Sequence, residues 1–463
     1  MSGTFHTKWV LCLSLLCCTL ISSAAEKKPN VLLIISDDLR DTVGCYGNTE
    51  VLTPHMDRLA GQGVRFDGAY AQFPLCGPSR ASLMTGLRPQ AIGILGNRTY
   101  FRDKVPDVIT LPQSLRQQGW HTAGFGKIFH TVGHTHAEQE SWIDLESSWD
   151  EGHGSNGEPQ GPFADLRNLT GGRLPWCRVG ATADETTESD YQSTSEGIEV
   201  MRRLTNNPWF VAVGLHRPHD PFICPQKYFD LYDPNRLTLN IDPPQMTGAP
   251  DIAIPAGGFK EAFSAFTDRE RRAFIHAYYA CTSFADAQVG RLVAEVEGLG
   301  VREKTMIIVM GDHGYHLGER DWWNKSTLFE RSCRAPMIIS APHMAQGRVC
   351  AAPVELVDLY PTILDFCKLD APQKLAGASF LPLLKNPALP GKGVAFSMVT
   401  RGKFQGHSVR TERWRYTEWD QGHHGIELYD QKHDPENINN LAEDPRFAQK
   451  VSVLKQRLRK GCP

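Results

Sequence analysis

No two cysteines of this chain stand in a CxxC or CxxH spacing, so the paired ligands of a structural zinc site are not indicated. A surplus of one charge is missing as well. Lys and Arg total 49 against 52 Asp and Glu, a formal net charge of -3, which argues against a nucleic-acid-binding face and leaves no basic tail to seek such a partner. Internal repeats and low-complexity arrays are absent, which excludes a solenoid. Long apolar runs are scarce. The run at residues 9–21 falls short of the ~20 residues that span a bilayer, and no stop-transfer pattern follows it. It lies behind Lys8 and ahead of Ser22-Ser23-Ala24-Ala25, the pattern of a cleaved secretory signal at residues 1–25, with no membrane span. Leu15 and Leu16 are too bulky to make a lipoprotein box before Cys17. Such a signal implies the secretory pathway, leading to the periplasm or medium of a bacterium or the lysosome of an animal cell. It also removes Cys12, Cys17 and Cys18 and leaves an odd set: Cys45, Cys76, Cys177, Cys224, Cys281, Cys333, Cys350, Cys367 and Cys462. In an oxidising compartment an odd cysteine implies one free or chemically special thiol.

What is present is length and rhythm. A chain of 463 residues, 41% hydrophobic and 22% charged, suits a soluble globular protein with one large domain and an appendage. Residues 30–35 read as a continuous apolar strand, and Pro54 behind Thr53 marks a first helical turn. Strand-like runs at 121–129, 209–215, 305–310 and 336–340 alternate with helical stretches at 273–297 and 355–367. This alternation predicts an α/β fold, a doubly wound, mostly parallel sheet with helices on both faces, over residues 26–390. From Val394 the character changes: strand-like 408–419 and 426–429 precede an amphipathic helix at 444–460, a small C-terminal α+β subdomain over 391–463. Between 147 and 190, frequent Gly, Pro, Ser and Thr predict a long surface excursion rather than a core element.

In a doubly wound sheet, ligands bind beyond the carboxyl ends of the strands. Asp37-Asp38 ends the first strand and Asp312-His313 a later one, so three carboxylates converge on one edge. Crowded carboxylates repel, and a hard divalent cation with oxygen ligands relieves them, Ca²⁺ being more tolerant of irregular geometry than Mg²⁺. Cys76 precedes Pro78 at the start of a helix, where the dipole and Arg80 make it either a reactive thiol or anion site, or a buried structural cysteine. Asn97-Arg98-Thr99 and Asn168-Leu169-Thr170 match the glycosylation sequon, as does Asn324-Lys325-Ser326.

The run from Cys76-Gly77-Pro78-Ser79-Arg80 through Gly86 resembles the signature of the sulfatases, whose Cys-x-Pro-x-Arg pattern directs oxidation of the cysteine to formylglycine. Pro29-Asn30-Val31 leading into Ser36-Asp37-Asp38-Leu39, then Gly311-Asp312-His313-Gly314, and Leu428-Tyr429-Asp430 with Asp434-Pro435 extend the resemblance over nearly the whole mature chain. Asp38-Leu39-Arg40, Gly126-Lys127-Ile128-Phe129-His130 and the segment from Val213 to Phe222 are similar to the iduronate-2-sulfatase branch. The resemblance implies an alkaline-phosphatase-like fold and a sulfuric ester hydrolase. It implies one calcium ion surrounded by Asp37, Asp38, Asp312, His313 and the modified Cys76, with His313 either a ligand or a contact to the aldehyde hydrate. Arg80, Lys127, His130, His219 and Lys325 then hold and process the sulfate. One hydroxyl of the hydrated aldehyde attacks sulfur, His130 deprotonates the other, and His219 or Lys325 protonates the departing alcohol. His216 stands behind this group. The implied partners are a sulfated carbohydrate and a formylglycine-generating or equivalent maturation enzyme. A 2-sulfated uronic acid is the first candidate substrate; another sulfated glycan, choline sulfate, or an inactive glycan-binding homologue are the alternatives. A phosphatase or phosphonate hydrolase would share the metal edge but favour two zinc ions and a Ser or Thr nucleophile. Tyr315 and Trp322-Trp323 stack on a sugar or pack internally.

Overall fold

The computed structural model of the protein describes residues 1, 3, 28–130, 143–155, 157, 163–240, 242 and 248–461; the apolar run of the signal and Cys462 lie outside the described residues. In chain order the strands are β1 (Asn30–Ser36), β2 (Val64–Tyr70), β3 (His121–Gly126), β4 (Glu151–His153), β5 (Ala164–Asn168), β6 (Arg178–Thr182), β7 (Trp209–Leu215) and β8 (Phe222–Pro225). There follow β9 (Thr305–Gly311), β10 (Arg334–Ser340), β11 (Arg348–Cys350), β12 (Val354–Glu355), β13 (Ala395–Arg401), β14 (Phe404–Arg410), β15 (Trp414–Trp419) and β16 (Ile426–Asp430). The main sheet runs β11-β2-β10-β9-β1-β7-β3-β4, with β12 alongside β2.

Strand β1 sits at the centre and is buried along its length. Its side chains alternate between two cores, as pleating requires. Val31, Leu33 and Ile35 join Leu83, Met84, Leu359 and Ile363 on one face; Leu32 and Ile34 join Met56, Leu59, Val289 and Leu292 on the other. Helices Cys76–Thr85 and Leu359–Phe366 therefore cover one side, and Pro54–Gly61 and Asp268–Gly298 the other. Each fully buried Leu or Ile contributes ~1.5–3 kcal/mol of transfer free energy, so the two-sided apolar strands bind both helix layers. The long helix begins before residue 273, because Thr267 and Glu270 form a capping box ahead of the first apolar turn. One strand departs from parallel order: β10 pairs antiparallel with both β9 and β2.

The 147–190 stretch is less of an excursion than its composition predicts. Strand β4 extends the main sheet beside β3, and β5-β6-β8 forms a separate three-stranded sheet. Val179 and Ala181 of β6 are buried in a cluster with Phe274 and Tyr278. Small residues such as Gly180 and Ala181 carry little hydrophobic signal, which is why this strand reads as loop.

Beyond residue 394 the antiparallel sheet β13-β14-β15-β16 is packed by helix Ala448–Gly461 through Leu454 and Leu458 against Phe396, Val409 and Tyr416. Glu330, buried beneath this sheet, accepts hydrogen bonds from Tyr70 Oη at 2.7 Å, Arg415 Nη2 at 2.6 Å and Arg410 Nε at 3.1 Å. One carboxylate thus joins β2 to β14 and β15. Replacing it leaves the buried Arg415 uncompensated, so Glu330→Gln is expected to lower the unfolding free energy by ~3–5 kcal/mol in urea titrations followed by circular dichroism. A loss below ~1 kcal/mol would contradict this role.

Candidate active site

Strand register builds the site. Ser36 aligns with Leu215 on one side and Gly311 on the other, while Gly126 aligns with Gly214. Asp37, Lys127, His216 and Asp312 therefore emerge together at one carboxyl edge, where a doubly wound sheet presents its ligand site. Asp37 N donates to Leu215 O at 3.0 Å. Asp38 turns back through a left-handed φ of 61°, which an Asp tolerates better than a branched residue, and its N–H donates to Asp312 Oδ1 at 3.2 Å. Tyr278 Oη donates to Asp38 O at 2.6 Å, fixing the turn from the long helix.

Cys76 is the first residue of the buried helix Cys76–Thr85, with Pro78 in the first turn as its sequence predicts. Gly77 N donates to Asn97 Oδ1 at 2.9 Å, and Ser79 Oγ to Asp312 O at 2.5 Å. Arg80 lies one turn after Cys76 on the same face. Its Nε donates to Asp312 Oδ2 at 2.8 Å, its Nη2 lies 3.5 Å from Asp37 Oδ1, and its Nη1 donates to the carbonyls of Lys127 and Ile128. Lys127 Nζ pairs with Asp37 Oδ2. Lys325 Nζ lies 2.5 Å from Asp38 Oδ1 and 3.1 Å from Cys76 Sγ; His313 Nε2 lies 3.4 Å from the same sulfur.

These contacts set the protonation states. Burial alone would raise the Asp37 carboxyl, but Lys127, His219 and Arg80 hold it well below the ordinary range. Burial lifts Asp38 to about 7 against the pull of Lys325. For Cys76, burial and Asp37 push the thiol up, and Lys325 and Lys127 outweigh them to bring it below its usual value. Burial and Lys127 lower His130 to about 3, and burial with Lys325 lowers His219 well below its usual value, so both are neutral at pH 7. His313 is opposite: burial depresses it, but Asp312 and Cys76 raise it to about 9.

Ligand atoms of Asp37, Asp38, Cys76 and His313 lie within 4.8 Å of one another. Asp312 stands just behind, its Oδ2 held by Arg80 and 3.5 Å from His313 Nε2. Both carboxylate oxygens of Asp37 are buried and accept no hydrogen bond, only the ion-pair contacts of Lys127 and Arg80. Buried acid oxygens so sparsely hydrogen-bonded, beside two further carboxylates, fit a hard divalent cation. His313 Nδ1 donates to Gly314 O at 2.9 Å, which turns Nε2 towards Cys76 Sγ.

A cavity of about 630 Å³ opens over this edge. Asp38, Lys127, His130, His219 and Lys325 line it, so five of the predicted residues face one space while Arg80 stays buried behind them. His130 Nδ1 is buried and has no hydrogen-bond partner. Of the neighbouring histidines, His219 Nε2 lies 3.7 Å from Asp38 Oδ2, whereas His216 is held deeper, its backbone N–H donating to Asp190 Oδ1 at 2.7 Å. Trp322, Trp323, Phe259, Phe263, Tyr315 and Trp176 make an aromatic wall. Tyr315 and Trp323 are buried and pack, Tyr315 Oη donating to Trp323 O at 2.7 Å, while Trp176 is 44% exposed.

Asn97 is the residue that sequence reading missed as part of the site. It reads as a sequon, yet its carboxamide is hydrogen-bonded to Gly77 and lines the cavity, and a Cβ on Gly77 would meet its Oδ1 at 2.8 Å. Asn168 is likewise turned inward, its Nδ2 donating to Leu174 O at 2.7 Å. The only signal for Asn97 is its separation from Cys76, which carries no periodicity.

Sequence comparison agrees with this geometry. The Sulfatase family pattern matches residues 29–368, and the pattern described as N-sulphoglucosamine sulphohydrolase, C-terminal, matches residues 318–462. The chain belongs to the sulfatase family: it is an enzyme that hydrolyses sulfate esters, on the mixed α/β fold of the alkaline-phosphatase-like proteins. It is 32% identical to a sulfatase of Formosa agariphila over 94% of this chain and 87% of that one. It is 30% identical to human iduronate 2-sulfatase, covering 84% of each. A solved structure bound to its substrate D-glucosamine-2-N,6-O-disulfate superposes with a TM-score of 0.73 at 23% identity, covering 94% of this chain and 97% of that one.

Because Asn97 is engaged at the first turn of helix Cys76–Thr85, the protein produced in a glycosylating host is expected to carry no glycan there. Peptide mass spectrometry checks this, and a glycosylated, active Asn97 would contradict the assignment.

Proposed function

We propose that this sulfatase removes sulfate from a sulfated sugar, a 2-sulfated uronic acid first among candidates, using Cys76 matured to formylglycine beside one calcium ion. One arrangement supports the reading: Cys76 Sγ touches Lys325 and His313, and sits with Asp37 and Asp38 beneath the cavity. Export through the secretory pathway, maturation by a formylglycine-generating enzyme, and division at residues 390–391 into catalytic and C-terminal parts belong to the same proposal. Among the described residues no helix is long and apolar enough to cross a membrane.

Asp37 and Asp38, with Asp312 behind them, would hold the cation through oxygen, and His313 Nε2 faces the group carried by residue 76. When present, the cation neutralises charge on the sulfuryl oxygens, and the hydrated aldehyde supplies an attacking hydroxyl and a second one from which the carbonyl returns. Arg80 and Lys127 fix Asp37 and bring positive charge to the sulfate side. His130, neutral with an open Nδ1, is in the protonation state of a base. Lys325 keeps its proton beside Cys76, and His219 faces the cavity from the other side; these are the two donor positions for the leaving alcohol. The exposed face of Trp176 suits the apolar face of a sugar ring.

The deciding experiment is peptide mass spectrometry over Cys76, from a host with maturation machinery, paired with sulfate release from 2-sulfated uronates, sulfated fucose and galactose, and choline sulfate. Formylglycine with uronate turnover is expected. Turnover confined to choline sulfate removes the glycan reading, and a Cys76→Ala protein that keeps its turnover removes the catalytic one. Calcium-selective chelation is expected to abolish turnover, with Ca²⁺ restoring more of it than Zn²⁺ does.

The leaving-group acid is separable from the rest. A sugar alkoxide needs a proton in the transition state and a nitrophenolate does not, so substituting the true donor costs ~10²–10⁴-fold on sugar sulfates and far less on 4-nitrophenyl sulfate. His219→Asn and Lys325→Met, assayed on both, identify which residue gives that split. Equal losses on both substrates from both variants would contradict either serving as the acid.

A further inference from the structure

We infer that Arg98 reads the carboxylate of the sugar that carries the scissile sulfate, which makes it a specificity-determining residue. This deepens the proposal that the substrate is a sulfated uronic acid and rests on it. The argument starts from the charges around the cavity. Lys127 pairs with Asp37 and Lys325 with Asp38, so both ammonium groups already answer an acid of the site. Of the other acids at the cavity, Asp220 accepts a hydrogen bond from Arg178 N at 3.0 Å, and burial lifts its carboxyl to about 7. Arg98 lines the same space, is exposed, and makes no hydrogen bond or ion pair with the described residues. Among the described residues it is the cation at this cavity whose charge no acid answers.

Its position is nonetheless fixed. Arg98 follows Asn97, whose carboxamide is tied to Gly77 one residue past Cys76, so the backbone bearing Arg98 is anchored ~3.8 Å along the chain from a direct contact with the nucleophile helix. A ligand with sulfate over Cys76 brings its sugar ring between this loop and the aromatic wall of Trp176 and Phe259. A guanidinium presents a rigid planar fork that binds a carboxylate through two parallel N–H···O bonds, and a carboxylate is the second anion a sulfated uronate carries. Asn324, whose Nδ2 has no acceptor among the described residues, lines the same cavity and offers a neutral donor to ring hydroxyls.

The test compares one sugar in two charge states. The wild-type protein and the Arg98→Gln and Arg98→Lys variants are assayed on a 2-sulfated iduronide and on its methyl ester, which keeps the ring and the sulfate but removes the carboxylate charge. For the wild type, kcat/KM is expected to favour the acid over the ester by at least ~10-fold, the scale of a charge-assisted hydrogen bond. Arg98→Gln brings that ratio near one, through KM rather than kcat, and Arg98→Lys restores part of it. The preference of the wild type is also expected to weaken as salt is raised, and that of Arg98→Gln is not. If Arg98→Gln turns over the iduronide and keeps the wild-type preference, the assignment of Arg98 is overturned while the uronate reading stands. If the wild type turns over sulfated fucose or galactose but no sulfated uronate, both fall together. Since Arg98 is exposed and has no partner among the described residues, its variants are expected to melt within a degree or two of the parent.

Discussion

Three carboxylates buried at one sheet edge are the constraint to which the rest of this structure answers. Two unit charges ~4 Å apart interact with ~4 kcal/mol at an effective dielectric of 20, and Asp37, Asp38 and Asp312 have almost no water to share that repulsion. The compensation inside the chain is specific. Arg80 bridges Asp37 and Asp312 and also takes the carbonyls of Lys127 and Ile128, so one side chain joins the ends of β1, β3 and β9 to helix Cys76–Thr85. This accounts for the spacing of the Cys-x-Pro-x-Arg signature. Positions one helical turn apart share a face, so anchoring Arg80 among the acids sets Cys76 over them. The proline leaves the hydrogen-bonded ladder intact because its missing N–H falls in the first turn, where no helical partner exists.

The same constraint decided what could be read from the sequence. The central strands announce themselves because burial on both faces demands unbroken apolar runs, and Asp37-Asp38 and Asp312-His313 stand out because acids directly after such runs have few structural reasons to be there. The order of the strands was not legible. Nothing in the run at 336–340 distinguishes an antiparallel β10 from a parallel one, since both are buried equally. Strand β6 was missed for the converse reason, being buried with residues too small to signal it. Separating His219 from His216 came from resemblance; in the structure both line the cavity, but Asp190 ties the backbone N–H groups of His216 and Arg217, while His219, past a proline, brings Nε2 to 3.7 Å from Asp38 Oδ2.

Asn97 shows the limit of pattern more sharply. Its place depends on a loop that returns to the first turn of helix Cys76–Thr85, a contact between segments with no shared period. Gly77 completes it, because a side chain there would collide with the carboxamide it must receive. The pair therefore acts as a single feature, although each half read separately is a sequon asparagine and a signature glycine. The C-terminal sheet depends on the catalytic part in a comparable way through Glu330, whose partners Tyr70, Arg410 and Arg415 come from three strands.

Fold alone does not separate sulfate from phosphate chemistry, since an acidic sheet edge suits either tetrahedral anion. What narrows the choice is the residue over that edge and the state in which its neighbours are kept. Lys325 and Lys127 outweigh burial to hold the Cys76 thiol below its ordinary value, while the same burial strips the proton from His130 and His219. The site thus arrives at neutral pH with Lys127 and Lys325 fixed on Asp37 and Asp38, His130 and His219 uncharged, and His313 holding its proton. A monoanionic sulfate ester brings a single charge to this edge. A phosphate monoester, with a second charge near neutrality, would demand more positive charge than these paired lysines leave unanswered.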